Sequence, residues 1–230
     1  MTTSDSPPAP AIPRSLFAFS IFYGGMVCIA GVLANKQVSL GSLPSWGPLA
    51  VEAGIFAFLL LVVTSSAVAE LFGRKLANQL VLIGFAPLIF SMFLAFLVLA
   101  LPAAEDMPAD RLTAFETIMG STPRIWIGGL IAYGTSQLLN VTIFTRLRRE
   151  GGKLLWLRAG IAAILSQIVD TLLFITISFY GVFPIGNLLV GQMLAKIVLS
   201  AVFVAPLVYV FVALARRMDG SVGPAPLDNA

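Results

Sequence analysis

The chain alternates between long apolar runs and short polar or charged breaks. At about 1.5 Å per residue, a helix needs roughly 20 apolar residues to cross a hydrocarbon core about 30 Å thick. Runs of that order occupy Leu16 to Ala34, Leu49 to Ala69, about Leu80 to Ala100, Ile125 to Phe144, Arg158 to Tyr180 and roughly Leu188 to Leu214. The first is too long for a typical signal-peptide core, so it reads as a retained span. The pattern predicts an all-α, polytopic membrane protein with a single six-helix transmembrane domain over residues 14–217. Residues 1–13 are polar and proline-rich and 218–230 are polar, which predicts two disordered tails.

The breaks carry turn chemistry. Asn35 to Pro48 holds a Gly/Ser/Pro cluster and reads as a loop, and Gly181 to Asn187, with Pro184, reads as a tight turn. Phe72-Gly73-Arg74-Lys75 is a short basic turn. Leu101 to Arg124 is the longest connection, and within it Ala109 to Met119 reads as a short helix lying at the membrane interface. Pro87 falls inside the third span, where a membrane helix tolerates it if neighbours satisfy the freed carbonyl.

Polar residues inside the apolar runs change the picture. Asp170 lies near the middle of the fifth run, where a carboxylate costs about 2.5–3.5 kcal/mol even on lenient insertion scales. It therefore faces protein or a wet cavity, not lipid. Ser166, Gln167, Asp170 and Phe174 share a face at spacings of three and four, with Thr171 beside them. On the fourth run Tyr133, Gln137, Asn140 and Phe144 align in the same way. The sixth run carries Gln192, Lys196 and Ser200 four residues apart. Asp170 and Lys196 are the ionisable residues deep in the spans, and each becomes tolerable as the other's partner or through a ligand. Glu52 and Glu70 lie near enough to the interfaces to be solvated, and Glu70 is also a candidate for the site. The competing reading of the Asp170 face is a buried polar contact that only fixes helix packing.

Composition narrows the chemistry. The chain is 58% hydrophobic and 11% charged, far from soluble averages. With no histidine and the single Cys28, a His/Cys zinc site, a histidine-based triad and an internal disulfide are excluded, and no metal or cofactor is expected. An intramembrane enzyme is disfavoured, because no nucleophile or metal partner accompanies the acid–base pair. The net charge of +3 does not point to nucleic acid, since the basic residues gather at the membrane edges. Arg14, Arg74, Lys75, the Arg146 to Arg158 cluster, Arg216 and Arg217 all fall on one side of a six-span topology. By the positive-inside rule both termini are cytoplasmic.

The run Ser166-Gln167-Ile168-Val169-Asp170-Thr171, followed by Phe174 and Phe179-Tyr180-Gly181, resembles the queuosine precursor transporters, a vitamin-uptake-like family. Phe144-Thr145-Arg146-Leu147-Arg148 with Leu155-Trp156-Leu157-Arg158, Glu70-Leu71-Phe72-Gly73-Arg74-Lys75, and Lys196 ahead of Pro206 are similar to it as well. Two positions depart from the family pattern. Ser66 stands where an acidic residue is usual, and Asn140 where an aspartate is frequent; both lower the charge of the cavity. The resemblance implies uptake, across a bacterial inner membrane, of 7-cyano-7-deazaguanine or its aminomethyl relative, precursors of a modified tRNA base. The chemistry fits: a guanine-like edge presents a ring N–H beside an exocyclic amine, and one carboxylate accepts both. Asp170 is the candidate acceptor. Ser166, Gln167, Thr171, Gln137, Asn140, Gln192, Lys196, Glu70 and Phe174 complete the expected substrate site. The alternatives are a substrate-binding subunit that needs a separate ATP-driven module and a secondary transporter of another vitamin-like solute. The partners expected are the small-molecule deazapurine, the lipid bilayer, and either a second copy of the chain or an energising subunit.

Overall fold

The computed structural model describes residues 12–43, 47–120, 123–147, 154–181 and 185–220. Residues 1–11 and 221–230 of the expected tails, most of the basic connection (148–153) and 182–184 of the expected turn lie outside the described residues. Among the described residues, six helices are long and apolar enough to cross a membrane. In chain order the elements begin with α1 (Arg14–Leu33), a hairpin of β1 (Gln37–Leu43) and β2 (Gly47–Glu52), α2 (Gly54–Phe72) and α3 (Arg74–Ala100). There follow the short α4 (Ala109–Met119), α5 (Pro123–Arg146), α6 (Leu155–Phe179) and α7 (Gly186–Leu199). A π-helical turn (Ser200–Val204) then joins α7 directly to α8 (Ala205–Asp219), and the three pieces form the sixth span.

The helix α2 is the axis of the bundle. Every residue from Leu61 to Leu71 is buried, and it packs against α1, α3, α5 and α8. The neighbours keep an apolar outer face. On α3 only Ala77, Leu80, Val81 and Gly84 are buried, while Phe90, Phe93 and Leu94 are exposed, as a lipid-facing helix requires. The most extensive helix pair is α5 with α6. Gly73, at φ +87°, makes the reversal between α2 and α3 that a side chain would oppose. Ser15 donates from both its backbone N–H and its hydroxyl to the Asp219 carboxylate, so the start of α1 and the end of α8 lie side by side.

The structure corrects one boundary and adds one local feature that the apolar pattern does not predict. The stretch expected to be a loop after α1, together with the first residues of the expected second span, forms the antiparallel hairpin. Gln37 pairs with Glu52, Val38 with Val51 and Ser39 with Ala50. One extra residue on β1 then makes a bulge before Ser42 meets Pro48, and Gly41 takes φ +90° within it. The physical reason is alternation: Gln37-Val38-Ser39 places Val38 inward on the core while Ser39 is exposed, and opposite it Val51 is buried. The second span consequently starts at Gly54, not Leu49. The π turn before Pro206 is the other departure. Proline offers no N–H to the preceding turn, and a widened turn absorbs that loss without ending the helix. Pro87 is accommodated within a continuous α3, and the expected helix at Ala109 to Met119 forms over the same residues.

Candidate functional site

A buried polar seam runs along the inside of the bundle between α2, α5, α6 and α7. Asp170 sits about 22 Å from the start of α6 and about 13 Å from its end, taking about 1.5 Å per residue. Its Oδ2 accepts from Lys196 Nζ at 2.9 Å, which links α6 to α7. Its Oδ1 accepts from Ser136 Oγ at 3.1 Å, which links α6 to α5. The Lys196 ammonium also stands over the Phe58 ring of α2, 5.8 Å from its centroid. Asp170 and Lys196 are 5% and 8% exposed, so the pair is enclosed on all sides. An ion pair buried this deeply needs further groups to offset its lost hydration, and Ser136 and Phe58 supply contacts of that kind.

Towards one end of the seam, Asn140 Nδ2 donates to Ser65 Oγ at 3.2 Å and to Ser66 Oγ at 3.1 Å. Ser65 Oγ in turn donates to Gln137 Oε1 at 3.2 Å. Beyond this cluster, Arg158 Nη2 bonds Glu70 Oε2 at 2.8 Å, with the guanidinium 4.8 Å from the Phe144 centroid. Both charges are buried. This corrects one expectation, since Glu70 is not solvated; Arg158, the last member of the basic cluster, folds inward to meet it. Each is the other's reason for burial, because a lone charge there is prohibitive. Towards the other end, Gln192 Nε2 donates to Glu52 Oε1 at 3.2 Å, so Glu52 is held by α7 rather than left to solvent.

Beside the seam, Tyr133 donates its hydroxyl to that of Tyr23 at 2.7 Å. Phe58 and Phe85 meet the Tyr133 ring edge-on. Gly84 makes the approach possible, since a Cβ there would stand 2.7 Å from Tyr23 Cε1.

The seam carries more polar capacity than the protein uses. Among the described residues, neither Oε1 nor Nε2 of Gln167 has a hydrogen-bond partner, and neither does Thr171 Oγ1. The same is true of Gln137 Nε2, Asn140 Oδ1, Gln192 Oε1 and Ser200 Oγ. All of these residues are at most 2% exposed. Each unmade bond on a buried group costs about 1–3 kcal/mol. Such a concentration is costly for packing alone and suits a site that completes its bonds with a polar solute. Not every expected member offers a free group. Ser166 returns its hydroxyl to Ala163 O, and Phe174 is half-buried with its ring edge-on to Phe179, towards the far end of α6. Ser65 and Ser136 were missed in the sequence. The signal for Ser136 was present, since it stands four residues before Asn140 on α5 and hence on the same face.

The family model described as "Putative vitamin uptake transporter" matches residues 52–211, from Glu52 into the first half of α8. The chain belongs to the vitamin uptake transporter family. The matched segment contains the whole seam, whereas α1 and β1 precede it. Among curated relatives, this family member is 34% identical over 158 residues to the "Probable queuosine precursor transporter" of Bacillus subtilis (strain 168), covering 67% of each chain. It is 24% identical over 168 residues to the "Queuosine precursor transporter" of Escherichia coli (strain K12), covering 73% of this chain and 70% of that one. No solved structure matches it. As a member of an uptake family with six spans, this is a multi-pass membrane transporter and not an enzyme.

Proposed function

We propose that this transporter imports a queuosine precursor, 7-cyano-7-deazaguanine or its aminomethyl relative, and binds the base in the seam around Asp170. Two relatives named for queuosine precursors support the substrate class. The observation that carries the site is the pair of unpartnered side chains next to Asp170. Gln167 and Thr171 stand three residues before and one residue after it, both fully buried. A base lying against α6 gives its N–H and amine to Asp170 and its keto oxygen to the Gln167 amide, and Gln137 or Asn140 meets the remaining edge. Glu70 serves from a distance as the partner of Arg158, and Phe174 lines the approach.

The end of the bundle carrying Arg14, Arg74, Lys75, Arg146 and Arg217 faces the cytoplasm of a bacterial inner membrane in this reading, with the hairpin on the outer side. The chain works alone, as a homodimer, or with an energising subunit. Proteoliposomes containing only the purified chain test this. Uptake of radiolabelled 7-cyano-7-deazaguanine without a partner is expected; tight binding without uptake assigns the chain to the substrate-binding role. Failure to bind either deazapurine refutes the substrate.

A further inference from the structure

Glu52 ends β2, two residues before α2 begins. The hairpin fixes its backbone: Glu52 pairs with Gln37, and the next residue, Ala53, donates its N–H to Lys36 O at 2.7 Å. Its side chain is held from α7 by Gln192. Gln192 precedes Lys196 by four residues, so the two stand one above the other on one helix face, with Cβ atoms about 5–6 Å apart. The charged groups that act on Glu52 are the Lys196 ammonium and the Asp170 carboxylate. Burial raises the Glu52 carboxyl above its ordinary range, and Lys196 and Gln192 oppose that rise. One cation thus faces two carboxylates and is bonded to one of them, Asp170. Lysine suits a change of partner, having a flexible four-carbon stem and three donors that need no fixed fork.

A ligand edge that gives two hydrogen bonds to Asp170 needs Oδ2, the oxygen that Lys196 holds. The displaced ammonium must then be received within the seam, because an unpaired charge there is costly. We propose that Lys196 exchanges between two carboxylates, and that Glu52 is the positioning residue that receives it when a ligand takes Asp170. The exchange is a property of the folded chain. Only the identity of the displacing ligand rests on the proposed function.

Thermal unfolding of the purified protein in detergent tests the exchange without any ligand. Glu52→Gln and Asp170→Asn should each lower Tm modestly, because one carboxylate remains for Lys196. The double variant leaves Lys196 with no carboxylate in reach, and its loss should exceed the sum of the two single losses. Adding Lys196→Met should then restore most of it, including where the double variant yields no folded protein. Additive losses, or a triple variant no better than the double, overturn the proposal. A second measurement uses 7-cyano-7-deazaguanine as the probe. Glu52→Gln should weaken its binding at least tenfold, and Glu52→Asp should recover most of the affinity. Unchanged binding in Glu52→Gln also overturns the exchange. Wild-type protein that fails to bind the probe while the unfolding cycle is non-additive overturns the substrate and leaves the exchange standing.

Discussion

The buried Glu70–Arg158 pair joins α2 to α6 near the basic end of the bundle, and replacing Glu70 by Gln isolates what it contributes. Arg158 is 4% exposed, and its Nε and Nη1 have no partner among the described residues, so Glu70 is its sole carboxylate contact at Nη2. The amide keeps the shape but removes the countercharge. Breaking a buried pair from one side costs about 3–5 kcal/mol. The Phe144 face returns about 1–2 kcal/mol of cation–π attraction, but it does so in the wild type as well and does not offset the change. For a chain of this size, each kcal/mol shifts Tm by roughly 2–4 °C, so a loss of about 3 kcal/mol lowers it by roughly 6–12 °C. Arg158→Met should cost a similar amount by stranding Glu70. The double variant Glu70→Gln/Arg158→Met should return most of the loss, because no charge remains and the methionine fills the space against Phe144. Scanning fluorimetry of the three purified variants in one detergent measures all of this. Single variants as stable as wild type, or a double variant worse than either single, would refute the reasoning.

Asp170→Asn preserves volume but turns an amide donor towards a position that must accept, which costs about 1–3 kcal/mol at a buried polar pair. Deazapurine affinity should therefore fall by roughly tenfold or more, measured by calorimetry on folded protein, and wild-type affinity would remove Asp170 from the site. Reporter fusions at Gly151 should read as cytoplasmic and fusions at Asp106 as periplasmic; the reverse pattern refutes the proposed orientation. Gly84→Ala places a methyl against Tyr23 and should displace it from Tyr133, lowering Tm by several degrees, whereas Gly25→Ala, with open space around it, should be nearly silent.

The spans were legible because the bilayer demands long apolar runs and the chain supplies them. The Asp170 face was legible for the opposite reason, since a carboxylate in such a run needs an explanation. The hairpin was hidden by its composition. Its Gly/Ser/Pro centre reads as loop, and Leu49-Ala50-Val51 merges into the apolar run that follows. Arg158 was hidden by its neighbours, because a run of basic residues looks like one solvated cluster. Its partner lies 88 positions away, and only the packing of α6 on α2 brings the two together. Glu52 was misjudged likewise, because nothing local to it announces Gln192.

The π turn at Ser200–Val204 settles a problem of phase. Six residues spaced by four are buried along the last span: Gln192, Lys196, Ser200, Val204, Val208 and Val212. In a regular α-helix each four-residue step overshoots a full turn by about 40°, so five steps carry the row about 200° round, to the opposite side. The wider turn advances less per residue and takes back part of that drift midway. The polar upper half of the row thus keeps Gln192, Lys196 and Ser200 on the seam, while the lower half sets its valines against the interior. The turn works as a vernier between two incommensurate tasks, one half of the helix indexed to the polar seam and the other to the apolar interior. Winding the same residues as a regular α-turn would restore that drift and turn Lys196 away from Asp170, although α8 kept its place.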